Sequence, residues 1–280
     1  MAKILDGKVL AEKIKSELKT KATVFQKKHG RKCGLAVVLV GNDPASEIYV
    51  ANKEKACEAV GIASIIHKCK DNIKQDKLLE LISSLNSDKN IDGVLVQLPL
   101  PKHLDSAKIV GAVAPAKDVD GFCAANVGNL SFGAPCAIPC TARGCLELVK
   151  STGIKLAGAH AVVIGRSNIV GKPVAQLLLN NDCTVTVTHS KTRNLADLTR
   201  TADILVAAAG CKHLVTADMV KPGAVVIDIG ITRADGKIFG DVDFDRVRDV
   251  AGYITPVPGG VGPMTVAMLL KNVLETENHI

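Results

Sequence analysis

Residues 35–40 of this chain, Leu-Ala-Val-Val-Leu-Val, contain no polar side chain, and that run limits the folds open to it. A strand with such a pattern is buried on both faces. Sheets covered on both faces are characteristically parallel, with helices crossing between their strands. Further strands are expected at 62–67, 93–98, 160–164, 184–188, 204–208 and 224–229. Helix signals lie between them. Asp43-Pro44 offers an N-cap followed by proline at the first helical position, and Gly61 offers a stop. Leu78, Leu81, Ile82 and Leu85 share one face of a helix over 77–85. Other helices are expected at 143–150, 170–180, 195–200 and 263–275. The expected class is α/β.

At about 150 residues per domain, 280 residues make two. A stretch rich in Pro and Gly, 115–141, separates the two βα series and reads as a loop that crosses between domains and forms part of a cleft wall. The expected division is 1–140 with 263–280 as one domain and 141–262 as the other. The second is expected to be a Rossmann-type, doubly wound parallel sheet, with the two domains around a cleft.

Composition removes several classes of function. Hydrophobic residues are 47% and charged residues 22%, which excludes a disordered chain. Aromatics are 2%, with no Trp, so a row of stacking rings for single-stranded nucleic acid is excluded. The net charge of +7 is concentrated in residues 8–32, an amphipathic helix with Leu10, Ile14, Leu18 and Phe25 on its apolar side. Its lysines read as a solvated face, with a nucleic-acid or membrane patch as the rival reading. Cys136, Cys140 and Cys145 lack zinc spacing and a nearby His, so no metal is expected. The uncharged runs 122–142 and 251–270 are broken by Gly and Pro, so no membrane span is expected. Residues 1–6 have no leader pattern, and scattered thiols suit a reducing compartment, so the cytoplasm is expected.

The sharpest local motif runs from Gly165 to Gly171, Gly-Arg-Ser-Asn-Ile-Val-Gly, between an expected strand and an expected helix. That is the setting in which a helix N-terminus receives a pyrophosphate. The spacing departs from G-x-G-x-x-G, and a tight turn without a ligand is the alternative. The next strand ends in His189-Ser190-Lys191-Thr192, where an NAD enzyme would place an acid for the ribose 2′-hydroxyl. Hydroxyls and cations there, with Arg166 nearby, indicate NADP.

Tyr49 and Lys53 are four residues apart on the Asp43-Pro44 helix and share a face. A lysine on an apolar stripe is either snorkelling or kept for proton chemistry. Gln97 closes a strand at its carboxyl end, where ligands of open parallel sheets bind. Asp118 and Asp120 lie in the crossing loop, as a heterocycle clamp or a capped turn ending at Gly121. Residues 255–265 hold a rigid Pro- and Gly-rich segment before the last helix.

Together these stretches resemble the bifunctional methylenetetrahydrofolate dehydrogenase/cyclohydrolase family. The matching segments are Tyr49-Val50-Ala51-Asn52-Lys53-Glu54-Lys55, Asp92-Gly93-Val94-Leu95-Val96-Gln97-Leu98-Pro99-Leu100-Pro101, Lys117-Asp118-Val119-Asp120-Gly121-Phe122, Pro139-Cys140-Thr141, the 165–173 loop, 189–192 and 256–265. Ala142 departs from the Pro that the family commonly has there. The resemblance implies NADP-dependent oxidation of 5,10-methylenetetrahydrofolate to the 5,10-methenyl form, then hydrolysis to 10-formyltetrahydrofolate, usually in a homodimer. It implies a folate-binding catalytic role for the first domain and an NADP-binding role for the second. It implies Lys53 as the catalytic group for hydrolysis, Gln97 as its orienter, Tyr49 as a stacking surface and Asp120 as the grip on the pterin. Gly165, Arg166, Ser167, Ser190 and Ile231 would contact the cofactor, with Thr141 nearby. A dehydrogenase that lacks the hydrolase activity is the rival within the family.

Overall fold

In the computed structural model, which describes residues 1–234 and 236–276, the run at 35–40 is a central strand with every residue buried. The chain opens with β1 (Lys3–Ile4) and α1 (Gly7–His29). Then come β2 (Gly34–Val40), α2 (Pro44–Val60), β3 (Ala63–Cys69), α3 (Gln75–Ser87), β4 (Gly93–Val96), α4 (Ser106–Gly111) and α5 (Ala124–Phe132). The second series runs α6 (Cys140–Ser151), β5 (His160–Ile164), α7 (Gly171–Leu179), β6 (Thr184–Thr188), α8 (Leu195–Thr199), β7 (Ile204–Ala207) and β8 (Val225–Asp228). A hairpin of β9 (Thr232–Ala234) and β10 (Lys237–Phe239), α9 (Phe244–Val247), β11 (Tyr253–Ile254) and α10 (Val261–Glu275) complete it.

The chain divides into two compact units. One comprises Lys13–Cys140 and Val266–Ile280 and holds a three-stranded parallel sheet in the order β3-β2-β4. The other comprises Met1–Glu12 and Thr141–Thr265 and holds a six-stranded parallel sheet in the order β1-β11-β8-β7-β5-β6. In the three-stranded sheet β3 and β4 flank β2, and in the six-stranded sheet β6 and β7 flank β5. The strand order therefore reverses beside β2 and beside β5, and the carboxyl ends there are where open α/β sheets bind ligands.

Local chemistry explains the main elements. Asp43 caps α2 by accepting from Ser46 N at 2.8 Å, Pro44 starts the helix, and Gly61 ends it with φ 95° and a bond to the carbonyl of Cys57. On α1, Ala11, Leu18, Ala22 and Phe25 are buried, while Lys8, Lys13, Lys19, Lys21, Lys27 and Lys28 stay exposed. The two sheets bury separate apolar layers. One contains Val38, Val94, Leu78 and Ile82; the other contains Val162, Leu205, Val226 and Ile254.

Beyond short added elements such as α4, α9, β11 and the β9–β10 hairpin, two features differ from the sequence expectation. Part of the 115–141 stretch is helical: α5 ends at Gly133, at φ 68°, whose N–H bonds to the carbonyl of Leu130. Asn126, Gly128 and Asn129 are weak helix formers, so the sequence signal there is poor. Tertiary bonds compensate, with Asn126 donating to the Asp118 carboxylate at 3.0 Å and to the carbonyl of Pro115 at 3.1 Å. The second difference is β1, which pairs with β11 at the edge of the six-stranded sheet, so residues 1–12 group with that unit. Strands two residues long carry no periodicity to read. Among the described residues, no helix is long and apolar enough to cross a membrane.

Candidate active site

The carboxyl ends of β2 and β4 bring Lys53 and Gln97 together. On α2, Ser46, Val50, Cys57 and Val60 form a buried stripe, and Lys53 falls in line with it at helical spacing. Lys53 is partly buried, and its Nζ donates to Gln97 Oε1 at 2.9 Å. Gln97 is buried and lies just beyond β4, with its backbone N–H bonded to the carbonyl of Val38 at 2.9 Å. Its Nε2 donates to the carbonyl of Leu98 at 2.6 Å, which turns Oε1 toward the lysine. A neutral amide therefore holds the amine without adding a charge. Tyr49 lies one turn before Lys53 but outside the buried stripe, with 42% of its surface exposed. An exposed ring on the helix that carries the lysine is available to a flat ligand. Cys57, one turn after Lys53, has its thiol pushed up to about 12 by burial, so it is no nucleophile.

The loop after α4 separates its two acids. Asp118 is buried, and its carboxylate accepts from Gly121 N at 3.0 Å, Cys123 N at 2.8 Å and Asn126 Nδ2 at 3.0 Å. It caps and folds the turn. Asp120 is only partly buried and lies within electrostatic reach of Lys53. Burial pushes its carboxyl up to about 6. The lysine charge pulls it down, the charge of Asp118 pushes it up, and the Cys140 thiol donates to it at 3.9 Å. The capped-turn reading of this loop applies to Asp118.

A supporting residue has no counterpart in the sequence reading. Asn272, fully buried on α10, donates from Nδ2 to the carbonyls of Val119 and Ile138, each at 2.8 Å. It ties together the two segments on either side of α5 and fixes the backbone next to Asp120. A single amide within an apolar terminal helix was the available signal.

The six-stranded unit gathers the other candidates at the carboxyl ends of β5, β6 and β8. Gly165 has φ 114°, and a Cβ there would collide with the carbonyl of Ala208 after β7. A Cβ at Gly171 would collide with the carbonyl of Gly165. The strand-to-helix turn is therefore closed to side chains at both ends. Ser167 Oγ accepts from Val170 N at 3.2 Å and Gly171 N at 3.3 Å at the start of α7. Arg166, Ser167, Ser190, Lys191 and Ile231 are exposed. The turn after β6 is folded by His189 N donating to Thr192 Oγ1 at 2.9 Å. Thr141, in the first turn of α6, shares a hydroxyl bond with Thr265 at 3.2 Å.

The comparisons agree along the whole chain. Residues 5–120 match the family model described as the tetrahydrofolate dehydrogenase/cyclohydrolase catalytic domain, and residues 139–280 match its NAD(P)-binding domain. The chain belongs to the tetrahydrofolate dehydrogenase/cyclohydrolase family. It is 56% identical over 275 residues to the bifunctional protein FolD of Cupriavidus necator, covering 98% of this chain and 97% of that protein. The crystal structure of the bifunctional FolD methylenetetrahydrofolate dehydrogenase/cyclohydrolase of Campylobacter jejuni is 50% identical and matches with a TM-score of 0.97, covering 100% of both chains. The Trypanosoma brucei family enzyme, solved in complex with NADP cofactor and inhibitor, is 40% identical with a TM-score of 0.94, covering 99% of this chain and 97% of that one. Within this family the split into a three-stranded and a six-stranded unit coincides closely with the boundary between the two domain models, apart from residues 5–12 and the C-terminal helix.

Proposed function

We propose that this chain is a bifunctional enzyme that oxidises 5,10-methylenetetrahydrofolate to 5,10-methenyltetrahydrofolate with NADP+ and hydrolyses the product to 10-formyltetrahydrofolate. The observation that carries the hydrolase half is the Lys53–Gln97 pair at 2.9 Å. Membership of the family and full-length likeness to bifunctional relatives support both halves.

The residues of the six-stranded unit fit an NADP cofactor. The glycine cradle at 165 and 171 lets backbone approach a pyrophosphate, and the start of α7 supplies a positive dipole end. Gly165, Arg166 and Ser167 would hold the phosphates and Ser190 the ribose phosphate, with Ile231 against the rings and Thr141 near the reacting end. Residues 189–193, His-Ser-Lys-Thr-Arg, carry two cations and no acid, which favours a 2′-phosphate over a free hydroxyl. When bound, the cofactor supplies the hydride acceptor.

The three-stranded unit would hold the folate. Asp120, when ionised, accepts from the N–H edge of the pterin, and Tyr49 covers its face. Orientation of the substrate is the contribution that hydride transfer needs from these residues. Hydrolysis needs more. Water adds to the methenyl carbon and loses a proton; the carbon–N5 bond then breaks as N5 gains a proton and the added hydroxyl gives up its own, leaving the formyl carbonyl on N10 and a net release of one proton. Lys53 Nζ, aimed by Gln97, is placed to exchange those protons. Family likeness also supports a homodimer in the cytoplasm, which light scattering and fractionation would test.

The direct test mixes purified protein with 5,10-methylenetetrahydrofolate and either NADP+ or NAD+, following the NADPH and methenyl absorbance bands. Reduction with NADP+ and decay of the methenyl band are expected. Equal kcat/KM with both cofactors would remove the assignment of the 189–193 turn, and a stable methenyl band would remove the hydrolase.

A further inference from the structure

Behind the proposed nucleotide crevice, two buried carboxylates hold backbone rather than ligand. Asp228 ends β8, and Asp241 lies two residues beyond β10. Asp228 is 3% exposed and Asp241 0%. Asp228 Oδ1 accepts from Gly230 N and from Asp241 N, both at 2.9 Å, and Oδ2 accepts from Val242 N at 2.9 Å. Thr255 Oγ1 accepts from the Asp228 backbone N–H at 2.7 Å. Asp241 in turn reaches the loop after β7: Oδ2 accepts from Ala209 N at 2.6 Å and Gly210 N at 3.0 Å, and Oδ1 from Cys211 N at 2.7 Å.

Glycines make room for both carboxylates. A Cβ at Gly230 would collide with the Asp241 carboxylate, and a Cβ at Gly240 with that of Asp228. The two acids and two glycines form one interlocked unit. Its outputs are the loop at 208–211 and the turn at 230–231. Ala208 forms the wall against which Gly165 packs, and its N–H bonds to the carbonyl of Ile164 at 2.8 Å. Ile231 projects beyond the end of β8, 52% exposed. Both outputs therefore lie at the carboxyl ends where this sheet takes its ligand.

We infer that Asp228 and Asp241 are positioning residues for NADP. They preset the 208–211 loop and the 230–231 turn through six carboxylate-to-amide bonds, without touching the cofactor. The inference rests on the proposed NADP role of this unit. Carboxylates that accept several backbone N–H bonds are among the stronger neutral-donor clamps, and a preset wall lowers the ordering cost of binding.

The test uses the full-length enzyme and the Asp241→Asn variant. The amide replaces one oxygen by an N–H2 group that faces backbone donors, so part of the 209–211 loop loses its anchor while the side-chain volume is kept. KM for NADP+ is expected to rise roughly tenfold or more. kcat at saturating NADP+ and hydrolysis of supplied 5,10-methenyltetrahydrofolate should stay within about twofold. An unchanged KM for NADP+ would overturn the inference, as would a parallel loss of both activities. Amide exchange on the unmodified enzyme covers the case in which the variant does not fold. Protection of Ala209, Gly210 and Cys211 without cofactor supports the inference; protection only after NADP+ is added overturns it. Calorimetry of NADP+ with the unmodified enzyme separates this from the underlying reading, since failure to bind there removes the NADP role itself.

Discussion

The two units repeat one topology and use it in opposite ways. In each, a helix starts at the carboxyl end of the first strand, beside the reversal of strand order. The start of α2 is closed: Pro44 has no N–H to offer, and the Asp43 carboxylate already accepts from Ser46 N. A negative charge on the positive end of a helix leaves no place for a phosphate. The start of α7 carries no acid: a neutral hydroxyl, Ser167 Oγ, accepts from Val170 N and Gly171 N, and glycine backbone lies against it. The polar side chains that meet at the first site lie further along, Lys53 on the helix and Gln97 just beyond the neighbouring strand. Topology sets where a site lies, and the cap and the loop decide what it can hold.

The largest expected effect comes from removing the side-chain chemistry at the first site. Lys53→Met keeps an unbranched stem and deletes the amine. Hydrolysis of supplied 5,10-methenyltetrahydrofolate should fall by about 10²–10⁴-fold, with NADP+ binding unchanged. Hydrolysis at the unmodified rate would return Lys53 to a snorkelling lysine.

Asp120→Ala tests whether the same site grips the pterin. Donors of the bound heterocycle would lose their acceptor, at roughly 1–3 kcal/mol. Both activities should drop together, because both use one bound folate. Unchanged folate affinity would take Asp120 out of the site.

Ser167→Asp makes the second site resemble the first by giving α7 an acidic cap. Repulsion of the cofactor phosphates should weaken NADP+ by about tenfold, in a salt-sensitive manner, while hydrolysis continues. Equal affinity for NADP+ in this variant would mean that the start of α7 holds no phosphate.

The smallest effect is a pH dependence. Burial holds the Asp120 carboxyl at about 6, above its ordinary 3.8. Folate affinity should decline as pH falls through 6, because the protonated acid loses acceptor capacity. Stability carries the opposite sign. A raised carboxyl binds its proton more tightly in the folded state, so this contribution is lost as pH rises from about 4 through 6. The Asp228 carboxyl, also pushed to about 6 by burial, adds to the same trend. Binding titrations with Lys53→Met should show the Asp120 midpoint moving up, since the lysine charge is the larger of the two influences that lower it, the other being the Cys140 thiol. A midpoint that stays in place would show that the two groups do not interact.

Much of this was legible from sequence because the deciding signals are local. Asp43, Pro44 and Gly61 bound α2 to the residue, and the end of β4 delivered Gln97 to the right edge of the sheet. Proximity of Lys53 and Gln97, 44 positions apart, became readable only through the parallel topology. What escaped depends on contacts without a local pattern. Alternate acids at 118 and 120 look equivalent in the chain, yet one folds the turn and the other remains near Lys53. Helix α5 forms against weak propensity because Asn126 bonds to a carboxylate eight residues earlier. Asp241 binds amides about thirty residues away, and neither its spacing nor its neighbours announce that role.

The pairing of β1 with β11 has a consequence for how this molecule is made. Strand 3–4 leaves the ribosome about 250 residues before its neighbour at 253–254. Helix α10, which carries Asn272 to the backbone beside Asp120, comes later still. Each unit thus waits for residues made long after its own first strand. Neither can be excised as one continuous piece, and loss of α10 would take the Asn272 brace from the backbone beside Asp120.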